Sequence, residues 1–296
     1  MGLPTTANYI VVSALMAPVI VTLGAQSGLI IPLVAAHLFV FYFGILADDT
    51  PPVGLAAFAA AAISGGDPIK TGIQGFMYDI RTALLPFLFI FNTDLLLIDV
   101  TFAGAIMVFI VATIAMMLFA AATQGYFFAK SYWWESAALV FIALTLFRPG
   151  FWLDQISPEF DLKPGTEIVK IAEKLPADAE LQIEVSGGKV SNPNKIGRTT
   201  IVIPLGKPGK GLQRLQRAGV LIEIDGKVAK FEEPLPGSKF ANLSRSFDFY
   251  GDKPVVVSVV KMPNERMPKE IFYIPALLLL GFVVMLQRRR QTQPAF

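Results

Sequence analysis

The run Gly44-Ile-Leu-Ala-Asp-Asp-Thr-Pro-Pro-Val-Gly54 sets two adjacent carboxylates and two prolines inside an otherwise apolar stretch. Carboxylates at membrane depth are costly unless they face a polar cavity or a cation, and prolines there free backbone carbonyls that serve as hard oxygen ligands. Two readings stand: Asp48 to Pro52 is a solvent loop between helices, or it is the break in an interrupted membrane helix. A loop would leave Val53 to Ile63 too short to cross, because about 30 Å of hydrocarbon takes about 20 apolar residues in a helix.

The surrounding composition supports a bilayer as the solvent. Of the 296 residues, 54% are apolar and 16% charged, with a mean hydropathy of +0.57, whereas a soluble domain carries roughly a quarter charged residues. Residues 1–147 hold only Lys70, Arg81 and Lys130 as basic residues, and most of the remaining charge lies between Arg148 and Glu270. Two physically different regions therefore share one chain. A net charge of +2 with scattered basic residues excludes a nucleic-acid partner. Without cysteine there are no disulfides or thiolate metal sites, and Met1-Gly2-Leu3-Pro4 lacks the basic start of a signal peptide.

Segment length sorts the apolar runs. Gly28 to Leu46, Phe102 to Ala122, Thr82 to Ile98 and Ile271 to Leu286 are expected to cross the bilayer. Tyr9 to Leu23 and Val53 to Ile63 are shorter, and each follows a helix-breaking run, so each is expected to be half of an interrupted helix. Basic residues in short loops orient the spans. With Arg288-Arg289-Arg290 in the cytoplasm, and Ala137 to Phe147 counted as one crossing behind a Tyr132-Trp133-Trp134 belt, Lys70, Arg81 and Lys130 all fall on the cytoplasmic side. The long stretch Arg148 to Glu270 then lies outside.

That stretch changes period. Glu180 to Val185, Thr199 to Pro204, Val220 to Ile224 with the Asp225-Gly226 turn, and Lys253 to Val260 read as strands. Gly211 to Ala218 reads as a short surface helix with Arg214 and Arg217 solvated. The expected fold is a polytopic α-helical membrane protein with a small β-rich α+β extramembranous domain and a C-terminal transmembrane anchor.

Two other places carry chemical interest. Gly2-Leu-Pro-Thr-Thr-Ala-Asn8 combines small residues with hydroxyls at a helix start. It is either a cap supplied by Thr5 or Thr6, or a tip whose positive dipole end favours an anion. His37, the single histidine, is either a neutral helix residue facing protein or a pore, or a functional group at membrane depth.

Taken in order, Gly2-Leu-Pro-Thr-Thr-Ala, Ala17-Pro18, Thr50-Pro-Pro-Val-Gly-Leu55, Ser64-Gly-Gly-Asp-Pro68 and Leu85-Pro-Phe87 resemble the final portion of the large membrane subunit (DctM-like) of TRAP transporters, the tripartite ATP-independent periplasmic family. The tail from Phe147-Arg-Pro-Gly-Phe-Trp-Leu-Asp154 resembles the uncharacterised C-terminal extension of fused TRAP permeases. The resemblance implies a sodium-coupled secondary transporter of the bacterial inner membrane, importing organic anions such as carboxylates delivered by a periplasmic binding protein. Sodium would be the coupling ion, with no other cofactor and no enzymatic activity. It also implies a transport domain of two inverted repeats with interrupted helices, of which this chain carries a part. Gly2, Pro4, Thr5 and Thr6 would form the tip and returning arm of a re-entrant hairpin, and Asp49, Thr50, Pro51, Pro52 and Gly54 the matching helix break. Asp48 and Asp49 stand where many relatives have uncharged residues.

On that resemblance, residues 1–99 end the transport domain and 100–147 add transmembrane helices. Residues 148–270 form a periplasmic β-rich domain, and 271–296 a last helix with a basic cytoplasmic tail. The missing N-terminal part of the permease is expected as a partner, so the chain reads as a fragment not competent alone. The alternative is a membrane-anchored assembly module that recruits a partner through its extracytoplasmic domain. No Gly-x-Ser-x-Gly elbow, phosphate loop or zinc-binding His pair is present.

Overall fold

Proline and glycine set most helix boundaries in the computed structural model, which describes residues 5–50, 54–226, 228–264 and 266–290, and the backbone alone of 47–49 and 81. Helix α1 spans Thr5–Gln26. Its 22 residues exceed the Tyr9 to Leu23 half-helix expected, because Thr5 to Asn8 and Gly24 to Gln26 join it and Pro18 does not end it. In apolar surroundings a helix with one missing N–H is better than an unpaired backbone. The chain turns at Gly28, whose φ is 83°, and α2 runs Leu33–Asp49 behind Pro32. The expected Gly28 to Leu46 span is thereby corrected to a later and shorter helix, since Pro32 supplies the first-turn geometry and residues 27–31 fold back onto the end of α1 (Leu29 N donates to Gly24 O, 2.9 Å).

Helix α3, Leu55–Ser64, is short as expected and stops at Gly65 in the left-handed region. Helix α4 spans Pro68–Phe91, with the Asp67 carboxylate accepting from Lys70 N. The expected Thr82 to Ile98 crossing is also corrected. The helix ends at Phe91, where the Asn92 side chain donates to Phe147 O at 2.6 Å, and Thr93–Leu96 forms a 3-10 turn. Helix α5, Phe102–Gln124, is capped by Thr101 and closed by Gly125. Helices α6, Trp133–Phe147, and α7, Gly150–Ile156, meet at an 80° bend. The break falls at Arg148-Pro149, where proline restricts its predecessor. Near the C-terminus α10 spans Tyr273–Arg289. Among the described residues three helical stretches are long and apolar enough to cross a membrane: α1, α5, and Lys269–Arg289, which contains α10. The α6–α7 pair makes a fourth if it is one span.

The chain divides into two units. The first comprises residues 1–20, 32–157 and 267–296. Its core packs Leu118, Phe119 and Ala122 of α5, Leu139, Ile142 and Leu146 of α6, and Ala276 and Val283 of α10. Helix α10 is fastened at both ends. Just before it, Lys269 pairs with Asp94. At its far end Gln287, fully buried, donates to Glu135 Oε2 and to Ser131 Oγ at 3.0 Å each and accepts from Phe128 N. Arg290 pairs with the other oxygen of Glu135 and stacks on Tyr132.

The second unit, residues 21–31 and 158–266, holds a curled antiparallel sheet. Its strands are β1 Phe160–Pro164, β2 Glu180–Lys189, β3 Asn192–Pro204, β4 Ile222–Asp225, β5 Val228–Phe231 and β6 Val256–Pro263. The order is β3-β2-β6-β5-β4, with β1 also on β6. Since β2 pairs with Val256 to Lys261, the opposite edge of β6 is shared by β5 at Val256 and β1 at residues 259–263. Leu181, Ile183 and Val185 alternate inward from β2 and are fully buried, the period-2 signature of a one-sided sheet. Helices α8, Ile168–Lys174, and α9, Gly211–Arg217, complete the layer. They approach so closely that a Cβ on Gly211 would collide with the Val169 carbonyl oxygen.

Arg214 is not solvated, as its place on a short polar helix suggested, but fully buried. Its Nη1 donates to Ala172 O and Leu175 O (2.7 and 2.5 Å), Nη2 to Pro176 O and Gly206 O (2.7 and 3.2 Å), and Nε to Leu205 O (3.3 Å). All five guanidinium N–H groups are used. The last carbonyls of a helix lack partners within it, and here an arginine supplies them for α8.

Candidate functional site

The expected site lies where α1 begins and where α2 gives way to α3. Gly2, Pro4, Pro51 and Pro52 lie outside the described residues, as does the Asp49 side chain. Thr5 is the first residue of α1, half-buried, and Thr6 beside it is exposed. Asp49 ends α2 and Thr50 caps it with extended backbone (φ −82°, ψ 121°). Both the Thr50 amide and its hydroxyl donate to Leu46 O. Gly54 is buried and stands at the start of α3. A run of i to i+4 bonds bridges the interruption, with Gly54 N donating to Thr50 O and Phe58 N to Gly54 O, both at 3.0 Å.

Contacts near the start of α1 place it against α2 in antiparallel fashion. The Asn8 amide nitrogen lies opposite Gly44, 3.5 Å from where a Cβ would stand. The Tyr9 hydroxyl and His37 Nδ1 share a hydrogen bond of 3.0 Å, and the Tyr9 ring meets Phe41 edge-on. The first turn of α1 and the end of α2 therefore lie at the same end of the pair. Helix α4 supports the arrangement from α2's other side through Phe39 and Phe43 on Phe87, and Tyr42 on Phe89.

The residues of α1 that face inward were not anticipated. Asn8, Ser13 and Ala17 are buried, while Ile10, Val11, Leu15, Met16 and Val19 are exposed. An apolar helix that turns its small and polar residues inward is one whose outer face meets lipid, since membrane helices gain most from close backbone approach. Ser13 and Ala17, four residues apart, share one helical face, whereas Asn8 lies on another, so residue spacing alone did not mark the inward residues. His37, flagged in the sequence, is engaged by Tyr9 within the helix pair.

Chemically, the interruption sets two helix ends of opposite polarity beside each other. The C-terminal turn of α2 presents carbonyl oxygens, and the start of α3 presents N–H groups without intrahelical partners. Among the described residues no group of three or more His, Asp or Glu side chains could hold a metal ion. Among the described atoms, the oxygens at this place are backbone carbonyls and the Thr50 hydroxyl.

Comparison with known proteins matches two family models to the chain, which meet within α5. Residues 1–104 match the family model of the tripartite ATP-independent periplasmic transporter, DctM component. Residues 105–293 match the model described as a domain of unknown function (DUF3394). Neither the curated proteins nor the solved structures contain a match.

Proposed function

Because the chain belongs to the DUF3394 family and joins that domain to a DctM portion of a tripartite ATP-independent periplasmic transporter, we propose that this multi-pass membrane component takes part in sodium-coupled import of organic anions. The observation that carries the reading is the interruption between α2 and α3, with the start of α1 at the same end of the helix pair. Thr5, Thr6, Asp49, Thr50 and Gly54, with Gly2, Pro4, Pro51 and Pro52, contribute to the coupling-ion and substrate site. Carbonyls and hydroxyls at the end of α2 suit sodium, and the N–H groups at the start of α3 suit a carboxylate. Transport requires the remaining transporter segments, a small membrane subunit and a periplasmic binding protein. In this reading the sheet domain is periplasmic, α10 anchors it and the C-terminus is in the cytoplasm of a bacterial inner-membrane protein.

Sodium-driven uptake of a dicarboxylate, measured in cells producing the whole transporter, tests the site. Asp49→Ala and Thr50→Ala are expected to lower uptake at least tenfold with unchanged membrane levels. Unchanged uptake in both variants refutes the assignment. The assembly-module reading is favoured by the separate core of the sheet domain. It predicts instead that uptake survives these substitutions and fails only when residues 159–270 are removed.

A further inference from the structure

The sheet domain carries a basic cavity that transport through the helices does not use. It has a volume of about 330 Å³, within the range of small-molecule pockets. Its walls come from Gln26 at the end of α1, the end of β2, the β2–β3 hairpin, β3 and the end of the 3-10 helix Ala241–Arg245 with the turn after it. Lys189, Arg198 and Arg245 converge on it, together with Ser191, Thr199 and Ser246.

The cavity is shaped by packing rather than by the chance proximity of three cations. The Lys189 stem lies across Gly197, where an added Cβ would stand 3.0 Å from its Cγ and Cε and 3.3 Å from the Phe247 ring. Any larger residue there would push Lys189 out of place. Phe247 is buried and bridges to Lys189 through an isolated β-pair, and Val190 N donates to Ser246 O at 3.3 Å. The hairpin and the 3-10 turn are thereby held to each other. Glu184 lies 3.8 Å from Arg198, whose own side chain is 71% exposed. Among the described residues Lys189 and Arg245 make no ion pair. Three cations and three hydroxyls line one opening, and Glu184 pairs with Arg198 alone among them, which leaves an excess of donors and of positive charge that a multivalent oxyanion complements.

We propose that this cavity binds a small multivalent oxyanion, of the di- or tricarboxylate or phosphomonoester kind. The inference stands apart from the transport reading, since binding is measured without transport. The full chain is placed in nanodiscs of zwitterionic lipid and titrated calorimetrically with citrate, glycerol 3-phosphate and, as the uncharged control, glycerol. Physiological ionic strength screens charges beyond about 8 Å. Citrate or glycerol 3-phosphate should bind and glycerol should not. Lys189→Gln and Arg245→Gln should each weaken binding roughly tenfold or more, the effect of losing one charge-assisted hydrogen bond. Lys170→Gln, on α8, should leave it unchanged.

Gly197→Val should weaken binding with Lys189 and Arg245 both present, while circular dichroism reports an intact sheet. A parallel titration in nanodiscs containing anionic lipid identifies the source of the oxyanion. A fall in apparent affinity there that is smaller for Lys189→Gln than for the unsubstituted chain assigns the cavity to a headgroup, whereas equal affinity in the two lipids assigns it to a free solute. Absence of binding by both anions in both lipids overturns the proposal, and so does binding that Lys170→Gln weakens as much as Lys189→Gln.

Discussion

At Arg214 a single side chain closes the end of one helix from the face of another. Replacing it with methionine keeps much of the volume but leaves the carbonyls of Ala172, Leu175 and Pro176 without this donor. A buried unsatisfied polar group costs about 1–3 kcal/mol. Arg214→Met is therefore expected to destabilise the sheet domain by at least about 3 kcal/mol, and Arg214→Lys by less, as read from thermal unfolding followed by circular dichroism. The sequence could not distinguish this arginine from its exposed neighbour Arg217, because its acceptors lie up to 42 positions away. Surface charges behave differently. The Lys230 ammonium, hydrogen-bonded to Asp225, holds that carboxyl below its usual value. The pair's stabilisation is present above the unfolded-state titration of Asp225 and is lost as pH falls through the depressed folded value. Asp225→Asn should leave unfolding at neutral pH nearly unchanged and remove this acid-side contribution, small because both groups are exposed.

Among the elements, α10 depends on its two fastenings. Glu135 is fully buried, and removing one partner of a buried pair costs about 3–5 kcal/mol. Arg290→Glu should lower the melting temperature of the helical unit in detergent, and adding Glu135→Arg should recover part of the loss. If the double variant is no better than the single one, the pair does not hold α10. Helix α9 depends on its first residue. Gly211→Ala is expected to force α8 and α9 apart and lower the unfolding temperature of the sheet domain, whereas Gly281→Ala, with open space around it in α10, should be tolerated. Element boundaries were legible where proline or glycine wrote them plainly. The short α3 behind Pro51-Pro52 and α5 before Gly125 are examples. Pro32 lay hidden within the apolar run Gly28 to Leu46, and β1 was hidden by Asp161 and Lys163, which pair with each other on an exposed strand. The expected site residues at the helix interruption were read from the Thr50-Pro-Pro motif. Which residues of α1 turn inward required knowing which sides met its neighbours.

Across the whole molecule, two solvents act on one chain, and the cysteine-free background makes their boundary measurable. With the proposed orientation, Lys174→Cys should react with a membrane-impermeant maleimide in spheroplasts, and Arg289→Cys only after permeabilisation. The reverse pattern would invert the topology. The sheet adds a condition in time. β6, on which β1, β2 and β5 all close, is the last strand in the chain and precedes the final span at Lys269 by only a few residues. During synthesis from the N-terminus, at about 5–20 residues per second, the earlier strands must wait with open edges until β6 emerges. The final span follows it roughly a few seconds later. Completion of the sheet and delivery of the final helix to the membrane machinery are thus nearly simultaneous, so a ribosome stalled before Val256 would leave a nascent chain with three strands lacking their common partner.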